Sequence, residues 1–301
     1  MQKHILLTGG TGLIGRYLTQ ALLAKGYAVS HLGRKPGDDP KVKTYLIDTV
    51  KGEIDPNCVN GVDTIVHLAG AGVVEKRWTD KRKKEIIDSR TKSIGLIYGL
   101  LRKKNHLVKS VISASATGFY GDKADELLTE DSKPGNDFLA EVCIKWETAA
   151  DEGLDLGLRV LKFRTGIVLN KDGGALPQLA NPVKWGVGSA LGTGKQWMPW
   201  IHWQDVINLY IHGIENTGLK GVYNMTAPNP VTNQQLTKAV AKQLNKPFWA
   251  PNVPVFVLKL IMGEMRLAVL ESDRTSAQKI LSEGFKFEFP ELQGALKNIY
   301  G

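Results

Sequence analysis

The hydrophobic positions in the first half of the chain form short apolar runs, separated by longer segments with helical periodicity. The apolar runs predict buried β-strands at residues 5–8, 27–32, 43–47, 64–69, 110–113 and 157–163. The segments between them predict helices at residues 13–25, 79–104 and 137–151. Wholly apolar strands joined by crossover helices are typical of a parallel sheet that is covered on both faces. The sequence therefore predicts an α/β fold with a doubly wound parallel sheet.

The second half of the chain has a different pattern. Residues 173–203 are rich in Gly and Trp, and a predicted helix at 205–215 and a predicted strand at 222–225 follow them. Further helices are predicted at 233–244, 255–268 and 276–283. Because the regular alternation ends here, we expect a smaller C-terminal α/β lobe, formed by residues 169–201 and 227–301. Residues 1–168 form the sheet domain, and we expect 202–226 to return to it.

Glycines recur at every third position directly after the first predicted strand, at Gly9, Gly12 and Gly15. The first allows a tight turn, the second lets the backbone approach a pyrophosphate, and the third lets the helix pack on the strand. Leu13 and Ile14 complete the loop at the start of the helix, where free N–H groups and the helix dipole favour an anion. The order strand, loop, helix predicts a Rossmann domain that binds a dinucleotide.

The end of the second predicted strand indicates which dinucleotide is bound. NAD-binding domains usually carry an acid here, about 20 residues beyond the glycine loop, to bind the adenosine ribose. This chain has Arg34 and Lys35 instead. A guanidinium matches a 2′-phosphate in a bidentate manner, so the sequence favours NADP(H) over NAD.

Several later segments, taken with the glycine loop, resemble a known family. They are residues 67–70 (HLAG), 113–121 (SASATGFYG) and 200–205 (WIHWQD), and more specifically 77–90, 195–197 and 253–265. Along essentially its whole length the chain is similar to the extended short-chain dehydrogenase/reductases, in the atypical branch of epimerase-family proteins, some once labelled cell-division inhibitors. The resemblance implies an NAD-dependent epimerase/dehydratase-like Rossmann fold, NADP(H), and a C-terminal substrate lobe of unknown function. It places Leu68, Ala69 and Gly70 beside the cofactor, and Arg90 where the family usually carries asparagine.

The acid/base pair of that family is missing. Family members use a tyrosine as the general acid/base and a lysine four residues later that lowers its pKa. Aligning on Glu147 of the predicted helix puts these two positions at Leu139 and Cys143. Neither side chain can take over the proton transfer, so the family mechanism does not carry over to this chain.

Two hydroxyls are candidate catalytic groups. Ser115 matches the family hydroxyl that holds the substrate oxygen, and Tyr120 follows it closely. Tyr120 could exchange a proton near the nicotinamide, helped by Lys145; the alternative is a tyrosine that packs after the fifth strand. Cys143, His67 and His202 are better explained as buried core side chains than as catalytic groups. The six histidines show no metal-ligand spacing.

The Trp-rich segment has two interpretations. Lys195, Gln196 and Trp197 could contact a planar or sugar substrate from a flexible loop, or the segment could be the apolar seam between the lobes. We expect both, with Trp200 and Trp203 in the seam and residues 195–197 facing the cleft.

The composition narrows the classes of partner. The chain has 39 basic and 30 acidic residues, a formal net charge of +9, but much of the excess lies in short runs that are best explained as solvated helix faces. A nucleic-acid partner is therefore disfavoured. The two cysteines are far apart and suggest neither a disulfide framework nor a zinc site. The first apolar run meets glycines too early for a signal core, and the longest later one, residues 253–262, is too short and too interrupted to span a membrane. We expect a cytoplasmic protein; a homodimer is compatible with the sequence.

Two functions follow from the sequence. The first is an NADP(H)-binding oxidoreductase or epimerase-like enzyme that binds its substrate between the sheet and the C-terminal lobe, the substrate being a nucleotide sugar or another carbonyl compound. The second is a non-catalytic NADP(H) sensor or regulatory protein, for which the missing tyrosine and lysine are the argument. The sequence determines neither the substrate nor the direction of the reaction.

Overall fold

The computed structural model describes residues 2–37 and 39–301. The strands are β1 (His4–Thr8), β2 (Ala28–Gly33), β3 (Lys43–Asp48), β4 (Glu53–Ile54), β5 (Thr64–His67), β6 (Ser110–Ala116), β7 (Leu127–Leu128), β8 (Arg159–Thr165), β9 (Ile167–Leu169), β10 (Trp197–Met198), β11 (Trp200–His202), β12 (Gly221–Met225), β13 (Val231–Thr232) and β14 (Arg274–Thr275). The helices are α1 (Leu13–Ala24), α2 (Asp80–Leu101), α3 (Phe138–Asp151), α4 (Ala175–Lys184), α5 (Trp203–Glu215), α6 (Asn233–Gln243), α7 (Val255–Met262), α8 (Leu267–Leu270), α9 (Gln278–Ser282) and α10 (Leu292–Tyr300).

Eight of these strands form one central sheet, in the order β12-β8-β6-β5-β1-β2-β3-β4. All neighbours in it are parallel except β3 and β4, which are antiparallel. The strand order reverses at β1, which lies between β2 and β5. Such a switch point opens a crevice at the carboxyl ends of the strands, where ligands of open α/β sheets bind. The predicted α/β fold with a Rossmann sheet is confirmed.

Apolar side chains cover both faces of the sheet. On one face, α1 and α5 pack through residues such as Leu18 and Tyr210. On the other face, α2 packs through Ile94 and Tyr98. A third apolar cluster joins α4, α6 and α10 beyond the sheet. This cluster forms the smaller α/β region that the second half of the sequence predicts.

The structure differs from the sequence predictions mainly in the second half. The helix predicted at 255–268 is present only up to Met262, because Gly263 adopts φ +61° and ends α7 there. The Gly- and Trp-rich stretch contains α4 and two short strands, and the C-terminal helix α10 was not predicted. Ile280 and Phe285 pack in the apolar cluster that α1 and α5 form on the sheet, not in the third cluster. The lobe boundaries at residues 168 and 226 stay a prediction.

Candidate functional site

The loop between β1 and α1 lies at the switch point and is shaped by glycines. Gly9 adopts φ +69° and accepts a hydrogen bond from the Gly12 amide (3.0 Å). A Cβ at Gly15 would clash with the Gly9 carbonyl oxygen. Within the described residues, no side chain caps the first turn of α1. The loop therefore presents the start of a helix, with its N–H groups and positive dipole end, to an anion.

The segment after β5 closes against this loop. A Cβ at Gly9 would lie 3.0 Å from the Leu68 oxygen and the Ala69 nitrogen. The Thr8 hydroxyl accepts hydrogen bonds from both the Leu68 and the Ala69 amides (3.1 Å each). The structure thus brings together two of the segments that the sequence analysis assigned to the cofactor.

Arg90 of α2 lies directly behind this segment. A Cβ at Gly70 would lie 2.8 Å from the Arg90 Cζ, so a larger residue there would displace the guanidinium. Arg90 donates to the Ala71 and Ile86 carbonyl oxygens and lies over the Trp146 ring at 4.7 Å. Burial lowers its pKa to about 10. Its Nε has no hydrogen-bond partner among the described residues, and the side chain lines the neighbouring cavity.

Arg34 and Lys35 follow β2 and are exposed to solvent. They lie at the carboxyl end of the strand that neighbours β1, on the side of the switch point opposite β5. Their positive charges are therefore free to meet an anionic group of a ligand that lies along the glycine loop.

A cavity of about 310 Å³ continues the crevice at the carboxyl ends of β6 and β8. Its wall on the α3 side is apolar and aromatic, and residues 197–199 and the segment after α8 close the other side. The lining residues are Val73, Val74, Arg90, Ala116, Thr117, Gly118, Leu139, Val142, Cys143, Trp146, Thr165, Gly166, Ile167, Trp197, Met198, Pro199, Ala268, Glu271 and Asp273. We call this cavity the cleft. It can hold a small molecule or the reactive end of a dinucleotide.

The two positions of the missing acid/base pair lie in the cleft wall. Leu139 and Cys143 both line it, one turn apart on α3. Burial raises the pKa of the Cys143 thiol to about 12, so the thiol is inert at neutral pH. Leu139 and Cys143 thus lie beside the cleft, as the tyrosine and lysine positions should, but neither side chain can exchange a proton at neutral pH.

The two candidate hydroxyls do not face the cleft. Ser115 is 3% exposed and donates to Glu147 Oε1 (2.7 Å), while Arg164 holds the same carboxylate through Nε and Nη2 (2.8 and 3.0 Å). Tyr120 is fully buried; it donates to Asn224 Oδ1 (2.7 Å) and accepts from Arg164 Nη1 (3.0 Å). Burial raises the pKa of Tyr120 to about 12. Both hydroxyls belong to a buried network that ties β6 and β8 to α3. This argues against a contact of Ser115 with a substrate, and it agrees with the alternative interpretation of Tyr120 as a packing residue.

One of the three predicted substrate residues reaches the cleft. Trp197 lines it, with its Nε1 donating to Asp125 Oδ1 (2.8 Å). Gln196 is buried, and its amide donates to the Leu191 and Val269 carbonyl oxygens (3.1 Å each), so it holds the chain together instead. Lys195 is exposed and outside the cleft lining. The expectation for these two residues is corrected accordingly.

The buried histidines act as core side chains, as the sequence analysis favoured. His67 is completely buried, pairs with the Ser93 hydroxyl (2.8 Å) and accepts from Trp146 Nε1 (3.3 Å). Burial lowers its pKa to about 3, so it is neutral. His202 accepts from the Gln204 amide at the start of α5, and burial lowers its pKa to about 4.

Sequence reasoning missed two carboxyl groups and a hydroxyl of the cleft. Glu271 and Asp273 lie between α8 and β14, more than a hundred residues from the strands that they face. Thr117, two residues beyond Ser115, supplies the cleft with a hydroxyl from the β6 side. No spacing pattern in the sequence connects these residues, because the fold alone brings them together. Glu271 also lines a second cavity of about 410 Å³, with Asp122, Lys123 and Asp137.

Residues 2–37 and 39–301 contain no group of three or more His, Cys, Asp or Glu side chains that could hold a metal ion. In the same residues no helix is long and apolar enough to cross a membrane.

Comparison with curated proteins identifies relatives along the whole chain. This chain is 35% identical over 298 residues to the epimerase family protein YfhF of Bacillus subtilis. The match covers 98% of this chain and 97% of the relative. The chain is 36% identical over 305 residues to the chloroplastic epimerase family protein SDR39U1 homolog of Arabidopsis thaliana, and the match covers 99% of this chain and 87% of the relative.

Two solved structures have the same architecture. Human epimerase family protein SDR39U1 (isoform 2), crystallised with NADPH, superposes with a TM-score of 0.88 at 30% identity, and the match covers 99% of each chain. A nucleoside-diphosphate sugar epimerase from Corynebacterium glutamicum superposes with a TM-score of 0.82 at 33% identity, covering all of this chain and 59% of the other. The sequence pattern of the NAD dependent epimerase/dehydratase family matches residues 5–226, and a domain of unknown function, DUF1731, matches residues 253–299. The chain therefore belongs to the NAD dependent epimerase/dehydratase family, among the epimerase family proteins that carry this C-terminal domain.

Proposed function

We propose that the chain binds NADP(H) across the switch point and uses it for hydride transfer with a small carbonyl or alcohol substrate bound in the cleft. The observation that carries the proposal is a series of contacts from the glycine loop to the cleft: Gly9 packs against Leu68 and Ala69, and Arg90, which packs against Gly70, lines the cleft. The loop fits a pyrophosphate because Gly9 and Gly15 leave no room for a Cβ where the backbone turns back on itself. The human relative crystallised with NADPH supports the same cofactor.

Residues of this chain divide the work of holding the cofactor. The N–H groups at the start of α1 would bind the pyrophosphate, with Leu13 and Ile14 in that first turn. The segment at Leu68, Ala69 and Gly70 would support the cofactor from the β5 side, with Arg90 behind it. When bound, the nicotinamide supplies or accepts the hydride. What the protein adds is orientation and a largely apolar cleft that limits water.

Arg34 and Lys35 would select the phosphorylated cofactor. Both are exposed after β2, where an NAD-binding domain would carry an acid. A guanidinium can form two charge-assisted hydrogen bonds to the 2′-phosphate of NADP(H), which NAD(H) lacks.

The substrate class follows from the cleft and its neighbour. The second cavity has polar and charged walls and shares Glu271 with the cleft. A substrate with a reactive carbonyl carbon and neutral hydroxyl groups that extend from it, such as the sugar part of a nucleotide sugar, fits this arrangement. Related folds have been crystallised with such ligands, for example MoeE5 with UDP-glucuronic acid and NAD.

Fluorescence titration with NADPH and NADH tests the cofactor assignment. We expect wild type to prefer NADPH, and Arg34→Ala to weaken NADPH binding about tenfold while leaving NADH binding unchanged, because only the 2′-phosphate contact is lost. Arg102→Ala, which removes an exposed arginine at the end of α2, is the matched control and leaves both affinities unchanged. Equal wild-type affinity for the two cofactors would overturn the role of Arg34.

A second candidate function is supported by the apolar side of the cleft. Leu139 and Cys143 occupy the wall where the family's acid/base pair is expected, which favours an NADP(H) sensor without turnover. Oxidation of NADPH measured across a panel of nucleotide sugars and carbonyl compounds separates the two functions. Turnover of any panel member rejects the sensor, and tight NADPH binding without turnover of any member rejects the enzyme.

A further inference from the structure

A buried carboxyl closes one end of the cleft. Asp273 is 7% exposed and lines the cleft together with Leu139 and Cys143 of α3. Its Oδ1 is buried and has no hydrogen-bond partner within residues 2–37 and 39–301. A buried polar atom without a partner costs free energy and calls for an explanation, and for an atom on a cavity wall a bound ligand or proton provides one.

The chain around Asp273 is held in place by several hydrogen bonds. The Asp273 amide donates to the Trp197 carbonyl oxygen (3.2 Å). The Ser272 hydroxyl donates to the Ala124 carbonyl oxygen (2.6 Å) and accepts from the Trp197 amide (3.1 Å). β14 begins directly after Asp273 and pairs with β7. The carboxyl therefore projects from a rigid segment, as a catalytic group requires.

The charges around Asp273 favour its protonated form. Burial raises the pKa of Asp273 to about 8, the negative charges of Asp122 and Asp137 act in the same direction, and the Thr117 hydroxyl opposes them. Burial likewise raises the pKa of Glu271 to about 8. The other titratable or charged groups on the walls of the two cavities are Arg90 and Cys143 in the cleft and Lys123 in the second cavity.

We propose that Asp273 is the acid of the cleft, giving its proton to the substrate oxygen in place of the tyrosine that this chain lacks. The inference rests on the proposed hydride transfer. When a carbonyl is reduced, its carbon gains the hydride with an electron pair, the C–O π bond breaks, and the oxygen takes a proton from the Asp273 carboxyl. NADPH, held at the glycine loop, would be the reductant that supplies the hydride; the substrate becomes an alcohol, and Asp273 is left as a carboxylate. The Asp273 carboxylate takes a proton back from water after the alcohol leaves.

A consequence of this role can be measured without a substrate. The oxidised nicotinamide carries a positive charge that the reduced form lacks. An acid that lies beside the reacting atoms ionises more readily next to that charge. NADP⁺ binding therefore releases a proton that NADPH binding does not release. Because both nucleotides carry the same phosphates, the difference in proton release reports only the charge of the nicotinamide ring.

Isothermal titration calorimetry at pH 7, in buffers of different ionisation enthalpy, counts the protons released. For wild type we expect NADP⁺ to release about half a proton or more in excess of NADPH. Asp273→Asn abolishes the difference, whereas Glu271→Gln, which removes the competing carboxyl of the same cleft, retains most of it; Asp131→Asn, at an exposed position, is the matched control and retains all of it. Circular dichroism checks that all three variants are folded. Infrared difference spectra of wild type give a readout without mutation, since NADP⁺ binding removes a protonated carboxyl band.

Each outcome has one meaning. Binding of both nucleotides with equal proton release overturns the acid role but leaves the cofactor proposal intact. A difference that survives Asp273→Asn, or that Glu271→Gln alone abolishes, overturns the assignment to Asp273. Failure of both nucleotides to bind overturns the proposed function and this inference with it.

Discussion

Asp273 has two properties that conflict in a folded protein: it is a carboxyl group, and it is buried without a partner for Oδ1 in the described structure. Its pKa is about 8 in the fold and has an ordinary value of 3.8. Between about pH 4 and pH 8 the unfolded chain ionises this carboxyl and the folded chain keeps it protonated. The folded state then binds more protons, so its stability falls as pH rises through this window and levels off above pH 8.

Asp273→Asn replaces the carboxyl with a neutral group of the same shape, so we expect the variant to be the more stable protein at high pH. Near pH 4 wild type and variant have the same melting temperature. At pH 8 the melting temperature of the variant is higher by about 3 °C or more. Differential scanning calorimetry at a series of pH values measures the change. Asp131→Asn, at an exposed position, should melt as wild type at every pH. A variant that melts below wild type at pH 8 contradicts the raised pKa.

Single residues also show how far sequence reasoning extends into the site. Leu139 and Cys143 were located correctly in space because helical periodicity fixes which side chains of α3 share a face. Ser115 and Tyr120 were not, because their directions depend on partners such as Glu147 and Asn224 that are distant in the sequence. Asp273 could not be found, since no local pattern marks an acid whose function depends on burial by other segments.

The β1–α1 loop is the element whose shape the sequence predicts most completely. The three glycines predict the turn, and the structure shows why the third is needed. A Cβ at Gly15 would clash with the backbone of Gly9 and Gly10, and backbone atoms cannot move aside as the end of a flexible side chain can. Short strands such as β7 and β14 were missed because two-residue pairings have no periodicity of their own.

Gly15→Ala should displace this loop, and we expect it to weaken NADPH binding more than tenfold because the backbone can no longer approach the pyrophosphate. Gly99→Ala is the matched control, since it also places alanine in a helix but meets open space there. That control keeps the wild-type affinity and gains stability by about 0.5–1 kcal/mol. Fluorescence titration and urea unfolding measure the two effects. Unchanged affinity in Gly15→Ala would show that the loop does not hold the pyrophosphate.

At the scale of the whole molecule, the C-terminal segment completes both the fold and the cleft. The family match that covers residues 5–226 would suggest a self-sufficient domain. The structure shows otherwise, because residues beyond 252 supply Glu271 and Asp273 to the cleft and apolar side chains to two core clusters. A chain that lacks the acid/base pair on α3 thus has carboxyl groups from its other end at the same cleft.

A chain truncated after residue 252 should therefore fail to fold stably, although it retains the whole epimerase/dehydratase match. Truncation removes Ile280 and Phe285 from the sheet core and Leu292, Leu296 and Ile299 from the third cluster. Burial of each such side chain contributes about 1.5–3 kcal/mol, and their combined loss is comparable to the total stability of a typical domain, about 5–15 kcal/mol. Circular dichroism should show no cooperative thermal transition for residues 1–252, and addition of residues 253–301 as a separate polypeptide should restore one. A truncated chain that melts cooperatively as a monomer, near the temperature of the full chain, would show instead that the C-terminal segment is an appendage and that the cleft carboxyls are dispensable to the fold.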